Sequence, residues 1–172
     1  GLRPGLELDE AAAEAVRASA KSSSAKATAA NMIGSRALSK KELTRRLIQK
    51  GNDASDAQAA ADWLEDIGAV DDAGYAAALV RHYGGKGFGP ARVKEELRRR
   101  GVDRSLWDEA LEEMPEAAEV LDELIRKKRK GDLSDPKEKK RVSDGLMRRG
   151  FAWSDIRAAM GRYTDMMEDG YD

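Results

Sequence analysis

The chain has 172 residues, with 31 Lys and Arg against 32 Asp and Glu, one His, no Cys and a formal net charge of −1. No cysteine excludes a disulfide scaffold, a thiolate metal site and a cysteine nucleophile, and one histidine leaves no material for a Ser-His-Asp triad or a histidine metal site. Charged residues make up 37%, no uncharged stretch approaches the ~20 apolar residues of a bilayer span, and no basic segment leads into an apolar one. A cytoplasmic protein with no membrane contact is therefore expected. The glycine at position 1 reads as a trimmed or internal start.

Residues 1–22 mix Ala, Ser and balanced charge without an apolar stripe and read as a flexible tail, with room for a short helix over 8–20. Beyond them Ala, Leu, Glu, Lys and Arg dominate and only four prolines occur, which predicts an all-helical chain. Helices are expected over 25–36, 39–50 and 55–67, with Ser39-Lys-Lys-Glu42 and Ser55-Asp-Ala-Gln58 reading as capping boxes. Three more are expected over 72–83, 90–100 and 103–111, the middle one opened by Gly89-Pro90. A last three are expected over 115–128, 136–149 and 154–160, with Pro115 and Pro136 in first turns. Residues 162–172 are acidic and read as a frayed end.

A period divides this list. Gly51, Gly101 and Gly150 each follow a cation (Lys50, Arg100, Arg149) and read as helix C′ glycines. Four positions before each stands Leu47, Leu97 or Leu146, and eight before stands Leu43, Val93 or Val142. A recurrence near 50 residues marks a repeat array whose units each bury one face. The units are placed at 23–70, 71–113 and 114–161, each holding three helices, which makes about nine in all.

Near-zero net charge conceals banding. From Asp53 to Asp72 there are acids and no base, while Arg81, Lys86, Arg92, Lys94, Arg98, Arg99, Arg100 and Arg104 outnumber the acids between Arg81 and Arg104. The stretch from Asp103 to Glu123 is acidic again, and Arg126 to Lys130 is wholly basic, followed by Lys137, Lys139, Lys140 and Arg141. Such bands can fix the register of docking on a charged groove. If Val93 and Leu97 face a core, the helical period turns Arg92, Lys94, Arg98 and Arg99 outward. The preceding Gly84-Gly85-Lys86-Gly87-Phe88-Gly89-Pro90 reads as a loop exposing amides beside a helix start, a place for phosphate or carboxylate, although it lacks the P-loop spacing.

Other features favour packing over chemistry. His82 stands beside Leu79 and Tyr83, Asp71-Asp72 reads as a helix N-cap, and Trp63, Trp107 and Trp153 are expected in cores. No nucleophile, base and oxyanion site assemble, so neither an enzyme nor a cofactor or metal site is expected.

The segment from Leu64 through Asp71-Asp72-Ala-Gly-Tyr75-Ala76 and Arg81 to Lys86-Gly87-Phe-Gly89-Pro-Ala-Arg92-Val93-Lys-Glu-Glu96-Leu97, ending at Gly101, resembles the RecX regulators of bacterial RecA. The likeness extends upstream through Ser39-Lys-Lys-Glu42-Leu43 and Leu47 to Gly51, and covers roughly residues 25–160. Gly74 departs from it, standing where the family usually has Arg or Lys. The resemblance implies three tandem three-helix repeats in an elongated, curved array. It also implies binding along the groove of the RecA filament on single-stranded DNA, with restraint of ATP hydrolysis, strand exchange and coprotease activity, and hence a role in recombination, repair and the SOS response. No catalytic residue comes with it. A monomer is expected. Arg81, Lys86, Arg92, Lys94, Arg98 and Arg99 are the candidate contacts to acidic partner surfaces or to DNA, single- or double-stranded. The alternative reading is a helical DNA-binding module that lays the segment from Pro90 to Arg100 against phosphates. A near-neutral total charge argues against it.

Overall fold

The computed structural model describes the backbone of residues 10–168 and side chains as far as residue 163. Among these residues there are nine α-helices, one short 3-10 turn and no strand. They are α1 (Glu10–Ser35), α2 (Lys40–Gln49), α3 (Ala54–Asp66), α4 (Asp72–Gly85), α5 (Pro90–Arg99), the 3-10 turn (Arg104–Leu106), α6 (Trp107–Leu111), α7 (Ala117–Lys128), α8 (Pro136–Met147) and α9 (Trp153–Glu168).

Three separate cores account for the three groups of helices. Ala25 and Ala29 of α1 meet Leu43 and Leu47 of α2 and Ala60 and Leu64 of α3. Ala76 and Val80 of α4 meet Val93 and Leu97 of α5 and Ala110 of α6. Leu121 and Ile125 of α7 meet Val142 and Leu146 of α8 and Ile156 and Met160 of α9. The chain forms two compact units that divide between Asp72 and Ala73, so the first repeat stands in one and the second and third in the other.

The period lies in the turn after the middle helix of each group. Gly51, Gly101 and Gly150 adopt φ of +92°, +72° and +91°, a conformation that costs L-residues with a Cβ energy, so glycine is needed there. The next amide reaches back in the same way each time: Asn52 to the Leu47 carbonyl, Val102 to Leu97, and Phe151 to Leu146. With the glycine's own amide bonding Ile48, Arg98 or Met147, it makes the helix-terminating bond pair that satisfies orphan carbonyls. The same leucine that enters the core thus also anchors the stop.

Several elements depart from the sequence reading. The tail expected over 1–22 is helical from Glu10 and continuous with α1, because its alanines and lack of proline favour helix and the buried Ala25 and Ala29 anchor the C-terminal half. Residues 1–9 lie outside the described residues. At the other end α9 runs to Glu168 rather than stopping near residue 160. Arg162 pairs with Asp122 at 2.8 Å and the Tyr163 hydroxyl donates to the Asp122 carbonyl at 2.9 Å, which ties α9 to α7. Residues 169–172 of the expected frayed end fall outside the described residues. Ser55 is not an N-cap. Asp53 holds that position in extended conformation and Gln58 turns to Asp62 instead. Ser39 does cap α2, accepting the Glu42 amide. Asp72 opens α4, where the sequence places a helix start, and also serves α2: its carboxylate accepts the Lys40 amide at 2.8 Å, and burial pushes its carboxyl above the usual range. Trp63 and Trp107 pack against their cores as expected, and the Trp107 indole donates to the Val102 carbonyl. Trp153 does not. It is 51% exposed at the first residue of α9.

Candidate partner-binding face

The six candidate cations belong to the second repeat. The core-facing pair Val93 and Leu97 is fully buried, and the 3.6-residue period turns Arg92, Lys94, Arg98 and Arg99 to the outer side of α5, where all four are exposed. Arg81 stands on α4 and Lys86 in the turn that follows it, both exposed.

Most of this charge is already committed within the chain. Arg98 makes a two-point contact with Glu95, at 2.7 and 3.1 Å, rather than the Glu95–Arg99 pair that i,i+4 spacing allows. Arg99 turns instead to Glu96, which Arg92 also approaches at 3.4 Å. Glu96 is 3% exposed. Burial alone would raise its carboxyl, but the hydrogen bond and charge of Arg99, with Tyr83 and Arg92, hold it below the usual range. Arg81 leaves this face and pairs with Glu113 at 2.6 Å. Only Lys86 and Lys94 of the six carry no ion pair among the described residues. Both are therefore available to an acidic partner without first breaking a contact.

Glu96 has a counterpart of reversed polarity. Nine and five positions before the turn glycine stand Glu42 and Arg46 in the first repeat, and Arg92 and Glu96 in the second. Each makes an i,i+4 pair, at 2.6 Å and 3.4 Å, and in each the glutamate is the buried member. The first two repeats thus keep the ion pair and reverse its direction along the helix, while the third has Arg141 and Gly145 at these positions.

The glycine-rich loop is not an anion site. Its first two glycines continue α4, and Gly84 is buried so closely against the Pro115 ring that an added Cβ would lie 2.7 Å from it. The amides expected to face a phosphate are used by the third repeat: Gly89 donates to the Arg149 carbonyl at 2.8 Å and Ala91 to the Gly150 carbonyl at 3.1 Å. The Arg149 guanidinium donates back to the carbonyls of Lys86 and Gly87, both at 3.0 Å, and lies 5.4 Å from the Phe88 ring centroid. The loop is a joint between repeats. In the sequence Arg149 reads only as a cation before a stop glycine, and no local signal marks its partners in the loop.

Comparison with known proteins agrees with this architecture. The family models for the second and third three-helix domains of RecX match residues 71–111 and 116–160. Regulatory protein RecX of Xanthomonas axonopodis pv. citri is 40% identical over 124 residues, covering 70% of this chain and 76% of that protein. Regulatory protein RecX of Halorhodospira halophila is 31% identical over 162 residues, covering 93% and 95%. Among solved structures, a crystal structure of regulatory protein RecX superposes with a TM-score of 0.79 at 24% identity, covering 92% of this chain and 82% of that one. RecX from Lactobacillus salivarius gives 0.76 at 19%, covering 84% and 97%. With three cores, one repeated turn and these matches in hand, the chain belongs to the RecX family of regulatory proteins.

Proposed function

We propose that this chain binds along the groove of the RecA filament assembled on single-stranded DNA and restrains its ATPase, strand-exchange and coprotease activities, so modulating recombination, repair and the SOS response. The observation that carries the reading is a family fold whose second repeat directs four cations of one helix outward, over a core that fixes their orientation. Repeats of similar size suit a partner that is itself a polymer. Contacts spread over neighbouring subunits raise affinity through effective concentration and make binding depend on the assembled filament.

The two glutamates of α5 favour a protein surface over bare phosphate. Glu95 and Glu96 already neutralise Arg98 and Arg99, whereas phosphate-binding helices depend on uncompensated charge. The test is inhibition of RecA's DNA-dependent ATPase by a Lys86→Ala, Lys94→Ala, Arg98→Ala variant. Arg92 and Arg99 are left alone because removing them strands a buried carboxylate. At about 0.5–1 kcal/mol for each rim contact, half-maximal inhibition shifts on the order of ten- to a hundredfold with helicity unchanged. Undiminished inhibition discards α5 as the contact face. Binding to DNA alone that falls linearly in log salt, with no requirement for RecA, would favour the DNA-binding module instead.

A further inference from the structure

The turn that repeats three times does not carry the same surface each time. Three residues before and three after the turn glycine, the second repeat has Arg98 and Arg104, the first Ile48 and Ala54, and the third Met147 and Trp153. Met147 is 44% exposed, and Trp153 is the tryptophan that the core does not take in. A half-exposed indole beside a half-exposed methionine is apolar surface that the described residues leave uncovered.

These two side chains and Pro136 line a groove of about 440 Å³ along α8, with Lys139 and Lys140 beside them. The polar groups there are already satisfied. The Ser143 hydroxyl donates to the Lys139 carbonyl at 2.7 Å, and the Asp144 carboxylate is held by the Lys140 ammonium at 2.7 Å. What remains is carbon, with the Lys139 ammonium alongside and without an ion pair among the described residues. The exposed Lys137 and Arg148 stand on the opposite flank of α8 from Lys139.

We propose that this α8–α9 groove is a docking surface for a polypeptide segment that offers one apolar side chain flanked by carboxylates. The apolar side chain fills the space between Trp153 and Met147, two residue types suited to anchoring and adaptable contact. A carboxylate meets Lys139 on the rim of the groove, and Lys137 and Arg148, which do not line it, add positive charge on the opposite flank of α8. A stacked nucleotide base is the competing occupant, since lysines beside an exposed tryptophan also suit single strands. It fits less well: Asp144 lines the same groove, and Lys140 is engaged in neutralising it. The groove also differs in kind from α5. The third repeat anchors through an apolar contact where the second offers charge, so the two would hold different features of one partner.

The inference rests on the filament reading for the partner's identity, and the experiment separates the two. Co-sedimentation with RecA filaments formed on single-stranded DNA with an ATP analogue is measured for the full chain and for Trp153→Ala and Met147→Glu. Both positions are exposed, so unfolding midpoints should match the wild type. Each variant is expected to bind at least about tenfold more weakly, and the loss should persist at high salt, unlike that of the α5 variant. Wild-type binding with both variants undiminished overturns the groove alone. A wild-type chain that ignores filaments overturns the filament reading and the partner assigned here with it. Variants that keep filament binding but lose binding to a free oligo-dT strand overturn the peptide in favour of a stacked base.

Discussion

Gly89→Ala tests whether the second and third repeats are one cooperative body. Gly89 has φ −81° and ψ 169°, ordinary extended backbone that alanine adopts without strain, so nothing within its own repeat forbids the change beyond a modest preference for glycine over alanine at an N-cap. The obstacle comes from the third repeat. An added Cβ would stand 2.4 Å from the Gly150 carbonyl oxygen and 2.6 Å from the Phe151 amide nitrogen, and both are backbone atoms that cannot swing aside. The joint must open. Opening it forfeits two backbone hydrogen bonds, at about 1 kcal/mol each, and weakens the two that the Arg149 guanidinium makes to carbonyls, where charged donors are worth about 1.5–3 kcal/mol. The expected cost is about 2–4 kcal/mol, confined to the joint. Chemical unfolding monitored by amide exchange should show the third repeat exchanging independently of the second, with protection lost first at Gly89 and Ala91, whose amides cross the joint. If the variant unfolds at the wild-type midpoint with joint protection intact, the interlock contributes nothing and the argument from close approach fails.

Three further outcomes follow from the same geometry. Leu47→Ala removes a fully buried side chain from the first core alone and should cost about 2–5 kcal/mol, with exchange protection lost in α1–α3 and retained beyond residue 73. Arg81→Ala breaks an ion pair whose members are both largely exposed, so its stability effect should stay below about 1 kcal/mol; a larger loss in calorimetry would mean that the pair is structural. The Glu138 carboxyl, held down to about 2 by the Arg141 guanidinium and the Lys130 amide, stays ionised where an ordinary glutamate is half protonated. Because its folded value is depressed, the contribution is present above the ordinary value of 4.5 and is lost as pH falls from there towards 2. A carboxyl resonance of Glu138 titrating near 4.5 would contradict the contact with the Lys130 amide.

The repeat was legible because it is written in residues with one physical use. A glycine forced to positive φ, a leucine four positions earlier and a second apolar residue four before that define a helix end and a core contact at once, and they recur unchanged at Gly51, Gly101 and Gly150. The outward set on α5 followed from the same period. What the sequence concealed were contacts between elements far apart in the chain. Nothing near Asp72 points to the Lys40 amide, and nothing in the glycine-rich loop points to Arg149. Both are polar backbone partnerships, which leave no hydrophobic period behind. Trp153 was misplaced for a related reason: three residues from a helix stop, an apolar residue can face either the core or solvent, and the core position in that helix went to Ile156.

The joint also bears on how such an array could act on a polymer. Gly89 is both the N-cap of α5 and the residue that meets Gly150, so the orientation of the cationic helix is set partly by the third repeat. A partner held at the α8–α9 groove and one held at α5 would then be gripped by two surfaces whose relation is fixed through Arg149 rather than through a flexible linker. Fixed spacing is what lets two modest contacts add without the entropy of ordering a tether. Gly89→Ala should therefore weaken filament binding more than its distance from either surface suggests. The chain's affinity should fall towards that of a single contact, and deleting Trp153 in the same background should cost less than it does in the wild type. Full additivity in that double-mutant cycle would show that the two surfaces act independently of the joint.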